Sequence, residues 1–514
     1  MLAGRVVTAG ALLIGAKFFG RLIDFAALLV LARLLTPDDF GIVAAAMTLV
    51  SILEVVLELP VGLVLVRTPD PEPSHYDTAF TLSVLRGATV GLFVAGIAWP
   101  YAWLFGDARL VPVILCLGWA PMIRGCVSPC LSAYTRGLRL GPDCCVQMVG
   151  KLGAFVAAMA VVAAERNYWA LVAATVTSPT VMVMTSYAVA PYRPRFSLKQ
   201  WRIFWDFLGW LGGTQVLAAL SWQCDRLILG QMTGRAELGR YTMADTLSAL
   251  PIQALAVPIA AILFPALDSI NTERERLRRG FLMSLNAVYT LCLPIMVGLV
   301  VLADPICRTV LGEQWIGVVH ALQVLGVASA LGLIAQPLGS LLYALGRTKL
   351  GLTRTAAGLA IKLPLMVAGG LEFGLSGVVY ARLATECVMF GVSLSNIRQA
   401  TGASVSSILL SLARPAAGVA AMAFALVLFE PVLGLGATPA TRILSLGLLA
   451  TAGGVVYAAV VLALWALADC PAGVEAKLAS VARRCWQQVR GRERARLLPG
   501  EAAVARAQGG SHPS

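Results

Sequence analysis

The run KFFGRLIDFAALLVLARLLTPDDFG, residues 17 to 41, is hydrophobic almost throughout, yet it holds Lys17, Arg21 and Asp24 and closes on the turn signal Thr36-Pro37. An ionisable group deep in a membrane helix costs roughly 2.5 to 3.5 kcal/mol even on a lenient insertion scale, unless it meets a partner or a wet cavity. The i, i+4, i+7 spacing sets the three charges on one helical face over about 10 Å of rise. Two readings stay open. Either two cations and an acid line the wall of an internal cavity, or Lys17 and Arg21 snorkel to an interface while Asp24 neutralises Arg21 one turn away.

Working outward, the other residues of this 514-residue chain repeat the same character: 58% are hydrophobic and 13% charged, with a mean hydropathy of +0.80. Soluble domains carry about 25% charged residues, so the composition describes an all-α, polytopic membrane protein. About fourteen windows are each long enough to cross roughly 30 Å of hydrocarbon as a helix. They start near Ala9, Gly41, Thr78, Leu110, Val146, Tyr168, Asp206, Leu238, Phe281, Val318, Gly351, Gly374, Ser407 and Thr441. The first window is too long and too charged for a signal peptide and reads as a retained helix.

Eleven cysteines are scattered in or beside apolar segments and read as small hydrophobes rather than a disulfide framework. The three histidines, His75, His320 and His512, lie far apart and predict no metal site. A net charge of +13 would suggest nucleic acid for a soluble protein; here its distribution matters more, and no nucleic-acid partner is expected. With the N-terminus inside, the inner loops and tails hold roughly 24 Lys and Arg against about 6 outside. The inner set includes Arg136 and Arg139, the run Arg193 to Arg202, and Arg274 to Arg279. Outer links such as Asp107 to Arg109 are short and nearly neutral. Both termini are therefore expected in the cytoplasm.

Displacing the chain by 198 positions lays Gly41 on Gly239, Asp39 on Glu237 and Phe40 on Leu238. A displacement of 210 lays Arg139-Leu140-Gly141 on Lys349-Leu350-Gly351. Both fall at equivalent places in a six-helix unit, which predicts an internal duplication whose pseudo-twofold lies along the membrane normal. The expected organisation is an N-terminal six-helix lobe over 1–190, a cytoplasmic interfacial linker over 191–205, and a second six-helix lobe over 206–398. Two further transmembrane helices over 399–468 and a basic cytoplasmic tail over 469–514, lying on anionic lipid or disordered, complete it. Pro251, Pro258 and Pro265 fall seven apart and predict a bent eighth helix; Pro337 and Pro364 predict bends in the tenth and eleventh.

Charges at membrane depth nominate the site. Arg124 and Arg382 lie nearest the centres of their segments and cannot easily snorkel. Arg21, Lys17 and Arg86 come next, while Lys151, Arg226 and Lys362 sit nearer helix ends and have a snorkelling alternative. Arg382 and Glu386, at i and i+4, have the further option of neutralising each other. Asp24 is the first acidic candidate and Glu54 the reserve, suited to coupling a proton or sodium ion. Cations exceed acids in the buried set, which suits an anionic passenger bearing phosphate or pyrophosphate. No cofactor is expected beyond such an ion.

The segment Ala32-Arg33-Leu34-Leu35-Thr36-Pro37-Asp38-Asp39-Phe40-Gly41 resembles the opening of the polysaccharide transporter family, the Wzx-like lipid-linked oligosaccharide flippases of bacterial envelopes. The Arg136 to Gly141 and Gly346 to Gly351 loops and the Tyr192-Arg193-Pro194-Arg195 link are similar to that family's pattern. The resemblance implies membership of the multidrug, oligosaccharidyl-lipid and polysaccharide exporter superfamily, with two lobes alternating access and no enzymatic activity. It also implies an inner-membrane location, an undecaprenyl-pyrophosphate-linked oligosaccharide as passenger, and contact with membrane lipids and with the glycosyltransferases or polymerase of the same pathway. Arg124, Arg382, Arg21, Lys17 and Arg86 as phosphate or sugar ligands, and Asp24 and Glu54 as coupling groups, are assigned from depth alone. The rival on the same scaffold is a drug or organic-cation antiporter, which should prefer acids in its cavity. A membrane enzyme would need a sizeable catalytic loop, and the short outer links speak against one.

Overall fold

The computed structural model describes residues 2–68, 70–137, 139–208, 212–433 and 438–467; within these, the side chains of 2–14, 16–18, 205–208, 212–215, 218, 432–433 and 439 are not described. The expected basic tail, and the side chain of Lys17, lie outside the described residues. The described chain runs α1 (Leu2–Leu34), α2 (Pro37–Val56), α3 (Val61–Arg67), α4 (Pro73–Leu104), α5 (Leu110–Leu117), α6 (Trp119–Arg124), α7 (Leu131–Arg136), α8 (Gly141–Ala164) and α9 (Trp169–Val189). After a linker come α10 (Trp201–Leu208), α11 (Gly212–Met232), α12 (Arg235–Pro251), α13 (Val257–Asp268), α14 (Arg274–Val301), α15 (Ala303–Ile306), α16 (Val319–Gly332) and α17 (Ala335–Ala344). The last three are α18 (Thr348–Thr401), α19 (Val405–Leu433) and α20 (Pro439–Leu467).

Among the described residues ten helical segments are long and apolar enough to cross a membrane, so the expected count of fourteen is not reached on that criterion. Two of the four missing windows, the first and the seventh, include residues that are not fully described, and the other two have local causes. The fourth window is divided into α5, α6 and α7. Residues 348–401 form two arms joined at Gly374, whose φ of 58° and ψ of −132° reverse the chain in a conformation that suits glycine. Thr36 starts α2 as its N-cap: its side chain accepts from the Asp39 amide while the Asp39 carboxylate accepts from the Thr36 amide, with Pro37 in the first turn. Such a cap contributes about 1 kcal/mol. The bend in the eighth window is a π-helical turn over Ile252–Ala256, directly after Pro251. In the tenth window the break falls between Gly332 and Ala335, ahead of Pro337.

The lobes join at one end and part at the other. One apolar core holds residues of both, from Leu31, Phe40 and Leu49 to Tyr241, Leu247 and Trp315, and it surrounds the start of α2. Toward the other end the cores are separate: Leu267, Phe281, Leu338 and Ile397 pack within the C-terminal lobe, while Val64, Ala79 and Phe204 pack within the N-terminal one. At the joined end α2 and α12 cross at Gly41 and Gly239. A Cβ on Gly41 would overlap the Arg235 carbonyl oxygen, and one on Gly239 would overlap that of Pro37. Pro37 and Arg235 stand 198 apart, as do Gly41 and Gly239, so the contact has the twofold character that a duplicated chain produces. The last two helices pack on each other and on α14 through Val419, Met422, Leu426 and Tyr457, whose hydroxyl donates to the Thr290 carbonyl at 2.8 Å.

Candidate functional site

In the N-terminal lobe, three residues selected by depth converge. Arg86 on α4 donates to the carbonyls of Glu54 (2.7 Å) and Leu57 (2.8 Å), where the last turn of α2 leaves main-chain oxygens unpaired. Arg124, at the end of α6, bonds the Glu54 carboxylate at 3.1 Å. The Glu54 side chain is 19% exposed and that of Arg124 51%, so one guanidinium is consumed by backbone while the other offers donors beyond its ion pair.

The second group lies on the face of α1 from which the sequence argument began. Lys151 of α8 reaches Asp24 at 2.5 Å and the Gly20 carbonyl at 3.1 Å, whereas Arg21 stands 3.9 Å from Asp24 and is half-exposed. Lys151 therefore does not snorkel; it supplies the counter-ion that the spacing within α1 assigned to Arg21. Arg21 instead borders a cavity of about 500 Å³ between the lobes, lined otherwise by apolar side chains including Leu22, Phe25, Leu250, Ile295 and Ile306.

Arg382 is placed apart from Arg124, inside the C-terminal lobe. Its guanidinium meets Asp225 of α11 at 2.5 Å and Glu386 at 3.5 Å. Asp225 is 2% exposed and is also held by Lys362 and by the Tyr241 hydroxyl (2.6 Å), while Lys362 donates to the Ser221 carbonyl at 2.9 Å. The snorkelling alternative for Lys362 is thus replaced by a buried ion pair, and the self-neutralisation of Arg382 by Glu386 is joined by the closer Asp225. Nearby, Arg226 pairs with Asp245 at 3.2 Å. Asp225 lies in the apolar window that begins near Asp206 and is absent from the residues nominated by depth. Its signal was an acid on one helix against one cation on each of the two arms that meet at Gly374.

A fourth group, outside the depth-based selection, bridges the lobes where they join. Asp107 accepts from Arg235 (2.8 Å) and Arg109 (3.3 Å), and Asp38 lies 3.6 Å from Arg235 and 3.9 Å from Arg109. Alongside, Arg33 donates to the carbonyls of Val310 (2.8 Å) and Thr309. Gln314 and the Trp315 indole both donate to the Ala32 carbonyl, at 2.6 and 2.7 Å. The ring of Phe40 meets that of Trp315 edge to face at 5.2 Å. The Asp107 to Arg109 link, nearly neutral in sum, gave no sign of this role because its charges are used across the lobe boundary.

Two lobes flank a cavity and are joined at one end by a polar latch. The backbone has the fold of solved transporter structures. It superposes with a TM-score of 0.69, at 13% identity over 88% of this chain and 99% of the other, on a structure described as lipid II flippase MurJ in the inward closed conformation. On an inward-facing multidrug resistance MATE family transporter of the MOP superfamily the TM-score is 0.59, at 16% identity over 75% and 96% of the two chains. Residues 30–320, more than half of the sequence, match the profile of the family described as polysaccharide biosynthesis protein, and the chain belongs to that family.

Among curated relatives, the succinoglycan biosynthesis transport protein ExoT of Rhizobium meliloti (strain 1021) is 28% identical over 312 residues, covering 59% of this chain and 62% of that protein. The lipopolysaccharide biosynthesis protein WzxC of Escherichia coli (strain K12) is 23% identical over 367 residues, 70% and 74% of the two chains.

Proposed function

We propose that this protein is a flippase that carries a polyprenyl-pyrophosphate-linked oligosaccharide from the cytoplasmic to the periplasmic leaflet for polysaccharide assembly. The observation that carries the reading is the cavity between α1 and the C-terminal lobe, apolar except for Arg21 at its border. A guanidinium beside an apolar slot between rocking lobes suits a passenger with an anionic head and a long hydrocarbon tail. With the positively charged loops inside, the joined Gly41 end is periplasmic and the parted end opens to the cytoplasm, the state that would load the passenger. No bond is made or broken in this cycle.

Arg21 and Arg124 retain donors for a phosphate, and Lys17 lies one turn before Arg21 on α1. Arg86 orients α2, and Arg382 stabilises the C-terminal lobe. Coupling through Asp24 or Glu54 requires a proton or sodium ion to displace Lys151 or Arg124, since each carboxylate already holds a protein cation. The paired state of these acids also disfavours an organic-cation antiporter, which needs an uncompensated carboxylate in its cavity.

The direct test is leaflet accessibility of a fluorescent polyprenyl-pyrophosphate oligosaccharide in proteoliposomes, with and without a pH or sodium gradient. Protein-dependent movement is expected; extrusion of an organic cation instead, with no lipid movement, would overturn the reading. In the same assay Arg124→Ala should weaken apparent affinity roughly ten- to a hundredfold, the worth of a hydrogen bond to a charged group, with partial recovery in Arg124→Lys. Unchanged affinity in the alanine variant would remove Arg124 from the binding site.

A further inference from the structure

The linker between the lobes is fastened along one side and uncompensated along the other. Tyr192 donates its hydroxyl to Asp77 at 2.6 Å, and the amides of Ser197 and Gln200 donate to the hydroxyls of Thr81 (2.9 Å) and Thr78 (3.3 Å) on the first turns of α4. Burial, and then the hydrogen bond to Asp77, push the Tyr192 phenol upward, so it remains a donor. The rings of Tyr192 and Phe196 both pack on Phe80, at 5.6 and 5.8 Å, and Phe204 is buried among Val61, Val64, Leu65 and Ala79. The segment is therefore carried by the N-terminal lobe as part of its surface.

Its other side is cationic. Arg193, Arg195, Lys199 and Arg202 are exposed, and none of the four forms an ion pair among the described residues. Two other basic stretches are partly compensated: Arg136 stands 3.4 Å from Asp70, and Arg276, Arg278 and Arg279 take Glu273 and Glu275 as partners, while Arg139, Arg274, Arg347 and Lys349 form no ion pair among the described residues. No acid occurs from 193 to 205; Asp206 follows one turn after Arg202, with a side chain outside those described. Interleaved with the cations are exposed apolar side chains, Phe196 (74%), Leu198 (49%), Trp201 (45%) and Ile203 (40%). Four unpaired cations alternating with apolar groups along a short amphipathic segment match the boundary between anionic headgroups and acyl chains.

We propose that residues 193–203 form a binding surface for anionic phospholipid headgroups, held rigidly on the N-terminal lobe. Guanidinium and ammonium groups take the phosphates while Phe196, Leu198, Trp201 and Ile203 enter the acyl boundary. The surface serves bulk leaflet lipid rather than the cargo: it lies on the linker side of α4, among residues separate from the Arg21 cavity. Bound to a charged leaflet, it fixes the N-terminal lobe in the membrane plane and leaves the C-terminal lobe as the one that rocks.

The test needs no transport, so its failure is distinguishable from failure of the flippase reading. The full chain is reconstituted in vesicles containing brominated phosphatidylglycerol or brominated phosphatidylcholine. Quenching is read as the difference between wild type and Trp201→Phe. Brominated phosphatidylglycerol should quench the Trp201 component at a roughly tenfold lower mole fraction than phosphatidylcholine at low salt, and the preference should collapse at 1 M salt, where the Debye length is about 3 Å. The variant Arg193→Gln/Arg195→Gln/Lys199→Gln/Arg202→Gln should lose the preference, while Arg276→Gln/Arg278→Gln/Arg279→Gln should keep it. Equal quenching by both lipids in the wild type, or a preference that survives high salt, would overturn the proposal even if the quadruple variant cannot be purified. Displacement by trace polyprenyl pyrophosphate, but not by excess phosphatidylglycerol, would overturn it in favour of a cargo site.

Discussion

Asp225→Asn should lose about 3 to 5 kcal/mol of stability, the range for breaking a buried ion pair by removing one partner. The residue is 2% exposed and holds Lys362, Arg382 and the Tyr241 hydroxyl, so three groups, from α12 and from both arms of α18, lose their shared acceptor at once. Lys362, with a side chain only 7% exposed, suffers most; it keeps the Ser221 carbonyl but no counter-charge. Arg382 retains Glu386 at 3.5 Å. The double variant Asp225→Asn/Lys362→Met should therefore be more stable than Asp225→Asn alone, because it removes the stranded ammonium and leaves an arginine with a partner. Thermal unfolding in detergent, followed by size-exclusion recovery, checks both statements. Additive losses in the double variant would show that the two residues do not share a site. Arg382→Ala is expected to reduce transport largely through this loss of the lobe's integrity, in contrast to Arg124→Ala.

Gly41→Leu combined with Gly239→Leu should abolish the closed state at the joined end. At each position a Cβ would overlap a main-chain carbonyl of the opposite helix, Arg235 or Pro37, and no rotamer change relieves such a contact. Ordinary overpacking costs about 1 to 3 kcal/mol per site, and leucine against backbone stands at the upper end or above. Two such sites approach the roughly 5.5 kcal/mol that carries a two-state equilibrium from 1:99 to 99:1. Spin labels at Trp103 and Phe373, 85% and 69% exposed, in a cysteine-depleted background, would report the result as loss of the shorter distance population. Transport should stop in parallel, because a protein held open on one side cannot alternate. An unchanged distance distribution would mean that the lobes do not close through these glycines.

Much of the architecture is written locally. The apolar windows, the Thr36-Pro37 cap and the asymmetry of loop charge each depend on residues a few positions apart, and such signals survive without tertiary information. The duplication was legible because the repeated Gly41 and Gly239 carry the same packing demand in both copies. Helix count was legible in part: the windows starting near Gly351 and Gly374 match the two arms that meet at Gly374, whereas α5 to α7 break within one apolar window.

The site was legible by type and not by pairing. Sequence placed Arg21, Asp24, Glu54, Arg86, Arg124 and Arg382 at membrane depth because the cost of burying charge is a property of the single helix. Which charge meets which was decided only by the fold: Asp225 and Arg382 lie 157 residues apart, and Asp24 and Lys151 127 apart. Local spacing offered Arg21 to Asp24 at i+3, and packing of α8 on α1 brought Lys151 closer. The sequence by itself thus determined an all-α, polytopic membrane protein with more cations than acids at membrane depth. Only the tertiary structure divided those cations into ones spent on carboxylates and carbonyls and ones, such as Arg124, whose guanidinium stays half-exposed, because an ion pair is a relation between helices that chain topology, not spacing, brings together.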